Sequence, residues 1–376
     1  MLIGIDASRA NRPVKTGVEW YSHHLIEQFK KIDSDNRYFL YTQKHLEGDL
    51  AVLPLNFKQK ILKWLPIRFW TLIRLSFEMK YGKEVPELLF VPAHTIPLFN
   101  PGKVVVTVHD IGFERHPEFY HWADKLYHRW TIKFIKKNAT KIITVSEFSK
   151  KEIIEIYGIP EDRIIVTPIS YDKETYKVLD IEKSVLDKKI LDKYKIKDPY
   201  FMFVGRLEKK KNIDGLINAF LQYKEAHPDD KHKLVLVGTR GLTFNEMEAT
   251  LEMQNKTKDI IYLEYVKDSN DVAMLINGAD LYIFPSRYEG FGIPALEAMA
   301  CGCPLICSNT ASLPEVVGQA AIMFNPENTD AIVKAIETVV QNPEVREALV
   351  QAGLERVKEF SWERCARQTL EIFKQL

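Results

Sequence analysis

The 376-residue sequence predicts an α/β protein of two doubly wound, parallel-sheet domains facing a cleft. Three observations carry that expectation. Short apolar, β-branched runs alternate with helical segments along nearly the whole chain. The runs are almost continuously hydrophobic, as strands covered on both faces are. One charge-rich stretch without a strand-like run, 170–199, divides them into two sets. The length agrees, since a domain usually takes about 100–200 residues.

In chain order, 2–5, 38–41, 88–91, 104–108, 141–145 and 164–167 read as the strands of a first Rossmann-like domain over residues 1–175. Its first loop, RANRPVKTGVEWYSHHL (9–25), leads through Gly17 into a helix. Residues 58–83, KQKILKWLPIRFWTLIRLSFEMKYGK, are basic and aromatic with helical periodicity. A helix packed on the first sheet and a helix lying on an anionic bilayer both fit them. Residues 170–199 read as a linker with a short helix, ending in Asp198-Pro199. The strands 200–204, 233–237, 260–263, 281–284, 304–307 and 321–324 then belong to a second Rossmann-like domain within 176–360. The closing segment, 361–376, reads as an amphipathic helix. In such sheets ligands bind beyond the carboxyl ends of the strands, so chemistry belongs in the loops that follow them.

Composition narrows the function classes. A hydrophobic fraction of 46% and a charged fraction of 27% exclude a disordered or fibrous chain. Lys and Arg number 52 against 51 Asp and Glu, so no polyanion is the default partner and nucleic acid is not expected. Residues 1–175 carry 26 basic and 21 acidic side chains, leaving 26 and 30 for the rest. The mildly basic first half suits an anionic membrane surface. Cys301, Cys303 and Cys307 crowd one segment in a C-x-C-x-x-x-C spacing that fits no usual zinc pattern, and Cys365 stands alone. All four read as buried core thiols. The opening MLIGIDASRA lacks a charged start, an apolar stretch and a cleavage site, which predicts no signal peptide. The expected home is a reducing cytoplasm, with the inner face of the membrane open as a place of work.

Motifs that are missing matter as well. No G-x-G-x-x-G follows the first strand, and the chain has no G-x-x-x-x-G-K-[ST] and no G-x-S-x-G. The usual signatures of dinucleotide enzymes, P-loop hydrolases and α/β-hydrolases are therefore lacking. The D-x-D at Asp33-Ser34-Asp35 lies at the wrong end of a βαβ unit for a site and reads as a turn.

The densest signal follows the strand at 281–284: PSRYEGFGIPALEAMACGCP, 285–304. It is a loop with Gly290 and Gly292, then a helix with Pro294 in its first turn. A helix start offers unpaired N–H groups and partial positive charge, and glycines let backbone approach a phosphate. Glu289 in the loop and Glu297 a turn into the helix could each accept two hydroxyl hydrogen bonds, as a vicinal diol requires. A solvated carboxylate at a helix start is the plainer reading of each. After the strand at 200–204 comes FVGRLEKKKN (203–212), where Arg206 and Lys211 could neutralise a diphosphate. A solvated basic turn is again the plain alternative. In VVVTVHDIGF (104–113), His109 and Asp110 stand at the carboxyl end of a strong strand, as a structural pair or a ligand-facing one. In TVSEFSK (144–150), Ser146 reads either as a helix N-cap or as an acceptor-side contact.

Taken together, these strings resemble the retaining GT-B glycosyltransferases of family 4 over nearly the whole chain. Glu289 through Glu297 matches the family's E-x7-E motif, and EAMACGCPLICS and SLPEVVG (312–318) look like the same family. The resemblance implies a GT-B fold: an acceptor-binding first domain, a nucleotide-sugar donor domain, and a C-terminal helix crossing back to the first domain. It implies that Gly205, Arg206 and Lys211 hold the donor diphosphate with Gly290, Phe291, Gly292 and Ile293. Glu289 would then bind the sugar's 3- and 4-hydroxyls and Glu297 the ribose diol. His109 would lie near the sugar's anomeric centre and 6-hydroxyl, with Asp110 and Ser146 on the acceptor side. Gly17 would lie against the diphosphate, although Thr16-Gly17 stands where relatives have a Gly-Gly pair. The implied catalytic set is His109, Arg206, Lys211 and Glu289, with no metal and no cofactor. VHDIGFERHPEFY and SRYEGFGIPALEAMACG look like bacterial mannosyltransferases of polysaccharide assembly. GDP-mannose is thus the expected donor, and a lipid-linked or saccharide hydroxyl the expected acceptor. A UDP-sugar transferase of the same fold and a non-catalytic nucleotide-sugar binder are the alternatives.

Overall fold

The computed structural model describes residues 1–64, 69–179, 190–241 and 258–376. They form two compact units, 1–169 together with 361–376, and 170–360.

The first unit is a seven-stranded parallel sheet in the order β3-β2-β1-β4-β5-β6-β7. Its strands are β1 (Leu2–Asp6), β2 (Arg37–Thr42), β3 (Phe57–Ile61), β4 (Leu88–Val91), β5 (Lys103–Thr107), β6 (Lys141–Thr144) and β7 (Ile164–Val166). The central β1 and β4 are buried at every position, which is why they read as unbroken apolar runs. The helices α1 (Gly17–Ile32), α2 (Leu75–Tyr81), α3 (Gly112–Arg115), α4 (Trp122–Asn138) and α5 (Glu147–Tyr157) connect them, and a wide turn, Trp70–Arg74, precedes α2.

The stretch 58–83 corrects the sequence reading. Its beginning is not helical: Phe57–Ile61 is the edge strand β3, pairing with β2 alone. The segment FKQKI holds three polar residues in a row, Lys58, Gln59 and Lys60, as a half-wet edge strand tolerates, and its lysines blunt that edge. Lys60 folds over the ring of Phe39 at 3.9 Å. Farther on, Trp70, Leu75 and Met79 are buried in the first unit's core; residues 65–68 lie outside the described set. Asp33-Ser34-Asp35 is a turn, with the Asp33 carboxylate accepting from the amides of Asp35 and Asn36.

The second unit is a six-stranded parallel sheet in the order β10-β9-β8-β11-β12-β13. Its strands are β8 (Tyr200–Val204), β9 (Lys233–Val237), β10 (Ile260–Leu263), β11 (Leu281–Phe284), β12 (Leu305–Ser308) and β13 (Ile322–Phe324). Its helices are α6 (Asp192–Tyr194), α7 (Ile213–Ala226), α8 (Ser269–Gly278), α9 (Ile293–Ala300), α10 (Leu313–Val317), α11 (Thr329–Gln341) and α12 (Pro343–Arg356). The stretch 170–179 and 190–199, read from the sequence as a linker, is part of this unit, and 180–189 lies outside the described set. All four cysteines are buried and free.

The last helix, α13 (Trp362–Lys374), belongs to the first unit. Phe373 meets Phe90 and Phe29 at ring distances of 5.3 and 6.0 Å, and Trp362 stacks on His24 at 4.7 Å. Burying a side chain as large as Phe373 contributes about 1.5–3 kcal/mol, enough to hold a short terminal helix.

Candidate functional site

Strand order reverses between β1 and β4 in the first unit and between β8 and β11 in the second. Loops leaving the carboxyl ends of strands on either side of such a reversal diverge and open a crevice. The loops after β8 and β11 carry 205–212 and 285–292, the two densest signals of the sequence.

Within the second unit these loops meet. Lys211 ends a single tight turn, Lys209–Lys211, and its Nζ lies 2.5 Å from Glu289 Oε1. The pair is mostly buried, with side chains 18% and 10% exposed. Arg287 ties the loops again: its amide donates to Lys210 O at 2.9 Å and its guanidinium to Lys209 O at 2.7 Å. Gly205 follows β8 and donates to Val237 O. Arg206 stays on the surface, its Nε 3.7 Å from Glu208. The structure thus joins Lys211 to Glu289 and leaves the Arg206 side chain extended beside Glu208.

The loop before α9 is held from behind. Ser312, fully buried, places its Oγ within 3.0 and 2.9 Å of the carbonyl oxygens of Glu289 and Phe291. Gly292 sits at φ +104°, and a Cβ there would stand 2.6 Å from Leu313. Glycine is required on both counts. From this turn Ile293 and Pro294 open α9, whose first N–H groups have no intrahelical acceptor. Glu297 lies one turn on. Burial, and then the nearby Asp172, pushes its carboxyl up to about 8, so the ligand-free protein holds it largely protonated at neutral pH.

In the first unit, His109 follows β5. Its Nε2 is 3.3 Å from Pro92 O, and its ring meets Tyr21 edge-on at 4.7 Å. An Nε2–H donated to that carbonyl leaves Nδ1 as an acceptor. Burial holds the imidazole below its usual range and therefore neutral. His94 and His128, whose rings are 4.8 Å apart, are depressed in the same way, His94 to about 3 by burial and then by His128. Asp110 accepts from the Gly112 amide at 2.9 Å and so shapes its own loop. Ser146 is the N-cap of α5, accepting from the Ser149 amide at 3.0 Å. Gly17 begins α1, and a Cβ there would meet nothing within 4 Å, so packing does not demand the glycine.

Two features escaped the sequence reading. Ser312 was only part of a familiar string, and nothing in one sequence shows that a hydroxyl fastens a loop 21 residues upstream. Glu19 was overlooked beside Gly17. It is buried, forms a capping box with Thr16, and pairs with Arg9 and Arg12 at 3.2 and 3.3 Å. Burial pushes its carboxyl up, but the Thr16 hydroxyl and Arg9 outweigh that and hold it below the usual range. The T-x-x-E spacing was the available signal. Among the described residues no group of three or more His, Cys, Asp or Glu side chains is arranged to hold a metal ion.

Comparison with known proteins follows the same division. Residues 187–356 match the model of glycosyl transferases group 1, and residues 16–174 that of Glycosyltransferase Family 4. The O-antigen chain mannosyltransferase B of Escherichia coli is 37% identical over 277 residues, covering 73% of this chain and 71% of that protein. Sucrose-phosphate synthase from Thermosynechococcus elongatus superposes with a TM-score of 0.77 at 19% identity, over 100% of this chain and 98% of that one. Anabaena HepE, solved in complex with UDP-glucose, gives 0.76 at 17% identity, over 100% and 99%. Both structural likenesses are to the GT-B fold.

Proposed function

The chain belongs to glycosyltransferase family 4, and on that premise we propose that it is a retaining mannosyltransferase. It would use GDP-mannose and a hydroxyl of a lipid-linked saccharide in polysaccharide assembly of the O-antigen kind. The observation that carries the reading is the Lys211–Glu289 pair at the strand-order reversal of the second unit, beside the start of α9. Mannose is supported by the relative 37% identical to this chain, which is a mannosyltransferase.

In this account Glu289 accepts two sugar hydroxyls while Lys211 fixes its carboxylate. As the bond to the anomeric carbon breaks, negative charge gathers on the leaving diphosphate. The Lys211 ammonium, the Arg206 guanidinium and the first N–H groups of α9 meet that charge and do the work of a divalent metal. Arg206 must swing from Glu208 to take part. The departing phosphate oxygen receives the acceptor hydroxyl's proton on the same face of the sugar, which retains configuration. Neutral His109 offers Nδ1 as an acceptor to a sugar hydroxyl. Ser312 and Glu19 are positioning residues, Ser312 for the α9 loop and Glu19 for the loop over 9–16.

The test is a donor panel of GDP-mannose, UDP-glucose, UDP-galactose and UDP-N-acetylglucosamine, with and without bacterial lipid extract, reading free nucleotide. Acceptor-dependent GDP release from GDP-mannose is expected. Release of UDP instead replaces the donor assignment, and no release from any donor favours a non-catalytic binder.

A further inference from the structure

The first unit has a crevice of its own, because strand order also reverses between β1 and β4, and the loops around it carry more than His109. His94 and Thr95 lie just after β4, and Tyr127 and His128 come from the middle of α4. All four side chains are partly exposed. The His94 and His128 rings stand 4.8 Å apart at 63°, and the Thr95 and Tyr127 hydroxyls are 3.0 Å apart. Buried Phe113 stacks on His128 at 5.1 Å, and Tyr127 meets the same imidazole at 5.7 Å. The four polar groups therefore form one cluster, fixed by aromatic packing.

What this cluster offers is hydrogen bonding. A structural histidine turns a nitrogen onto a protein carbonyl, as His109 does onto Pro92 O. Among the described residues, burial and neighbouring charges act on His94 and His128, and no hydrogen bond does. Burial keeps both imidazoles neutral at pH 7, so each carries one N–H donor and one acceptor nitrogen. Of the paired hydroxyls one donates to the other, which leaves the second O–H available among the described residues. The nearby charges do not call for an anion: Arg9 is paired with Glu19 at 3.2 Å, while Asp110 and Asp124 both act on His128. Nor is there a metal set, since among the described residues no group of three or more His, Cys, Asp or Glu side chains is arranged to hold an ion. A neutral polyol fits. Its neighbouring hydroxyls both give and accept hydrogen bonds, and the C–H face of a pyranose is apolar enough to lie against the rings.

We propose that His94, Thr95, Tyr127 and His128 form a binding subsite for the terminal sugar of a neutral saccharide, with the imidazole pair holding neighbouring hydroxyls. On the transferase reading that saccharide is the acceptor, and the subsite sets its preference for an uncharged hexose over an anionic one. Its role as acceptor rests on that reading; its binding does not, because binding is measured without donor or turnover. The sequence nominated Asp110 and Ser146 for the acceptor side. The structure gives both a local backbone task, and it puts the imidazole pair and the two hydroxyls where a sugar can be read.

The experiment is nuclear magnetic resonance of the full chain labelled at its histidine imidazoles, titrated with methyl α-mannoside, an α-linked mannose disaccharide and, as the anionic control, glucuronate. His94→Gln and His128→Phe assign the two signals. The mannosides are expected to shift the His94 and His128 signals saturably and to leave His227, in the second unit, unmoved. Glucuronate is expected to bind at least about tenfold more weakly. His128→Phe keeps a ring on Phe113 and removes both nitrogens, so the chain should melt as wild type does. Mannoside affinity should drop about tenfold, the loss expected for one or two hydrogen bonds, and His128→Gln, which restores a donor and an acceptor, should recover part of it. Tyr127→Phe, which removes only a hydroxyl, gives the same direction of change should His128→Phe lower the melting temperature. In GDP-release assays His128→Phe should raise KM for a mannoside acceptor about tenfold and leave GDP affinity unchanged. Wild-type imidazoles that ignore the mannosides would overturn the proposal, and so would tighter binding of glucuronate, which makes this an anion site. An equal loss of GDP affinity in His128→Phe would overturn it too, by making the pair structural. Saturable shifts without GDP release from any donor would uphold the subsite and overturn the transferase reading alone.

Discussion

Replacing Lys211 by Ala removes the one cation among the described residues that pairs with Glu289, and it perturbs two quantities separately. The first is stability. The pair is 2.5 Å apart with side chains 18% and 10% exposed, so truncation strands a largely buried carboxylate. Breaking a fully buried pair costs about 3–5 kcal/mol; the partial exposure here reduces that to roughly 1–3 kcal/mol. At about 2–4 °C per kcal/mol for a unit of this size, Tm falls by roughly 2–12 °C. The second is turnover. One preorganised donor to a developing oxyanion contributes about a hundred- to a thousandfold in kcat, so kcat should fall by that order while KM for the donor changes little. The assay is initial-rate GDP release beside thermal unfolding, on Lys211→Ala, Glu289→Ala and the double variant. The double variant should recover stability, having no stranded charge, and recover no activity. A kcat within about threefold of wild type in Lys211→Ala would refute the leaving-group role, and additive losses of stability would refute the pairing.

The remaining predictions concern pH, backbone and metal. With its carboxyl near 8, Glu297 is protonated in the free protein at pH 7; if it grips the ribose diol as a carboxylate, GDP binding should release close to one proton. Titration calorimetry in buffers of different ionisation enthalpy measures this: affinity should rise about fivefold from pH 7 to pH 8 and about tenfold by pH 9, levelling off above, and Glu297→Gln should abolish both effects. The same raised value means that the folded form holds a proton the unfolded chain lacks between about 4.3 and 8. Glu297 therefore contributes a stability that fades as pH rises through that window. His94 works in the opposite direction: depressed to about 3, it resists a proton that the unfolded chain takes up near 6.5. Stability should fall as pH drops below about 6.5, and His94→Gln should flatten that slope in denaturant melts. Gly292→Ala must place a methyl at φ +104° and 2.6 Å from Leu313, so a loss of about 1–3 kcal/mol and of most turnover is expected, by melting and initial rates. If the cations of the second unit take the place of a metal, chelation with EDTA should leave GDP release unchanged; loss of activity restored by a divalent ion would refute that role.

Strands buried on both faces were the most legible part of the chain, since nothing but apolar side chains suits β4, β8 or β11. The edge strand β3 was not, because three of the five residues of FKQKI are polar and in a row, and the strand sits before an aromatic helix that dominates any window containing it. Loop chemistry was legible where a local pattern carries the physics: Gly292 and Pro294 announce a helix start whatever the rest of the chain does. The Lys211–Glu289 contact spans 78 residues, and the parallel pairing of β8 with β11 brings the two loops side by side. The sequence could nominate both residues but could not say that they touch. It equally could not show that Arg206 would rest beside Glu208, since rotamer choice on an exposed side chain leaves no periodic trace. The outward stripe of α4, Trp122, Leu126 and Trp130, was hidden for a related reason: apolar residues at i and i+4 look the same whether they face a core or the solvent.

The central claim is that the positive groups at the β8–β11 reversal hold the diphosphate of a nucleotide sugar. The most direct measurement is a crystal structure of the chain with GDP. The account predicts the β-phosphate within hydrogen-bond reach of Lys211, of a repositioned Arg206 and of the amides opening α9, with the ribose diol on Glu297. A diphosphate bound elsewhere, with Lys211 still locked to Glu289 and Arg206 still at Glu208, would contradict it.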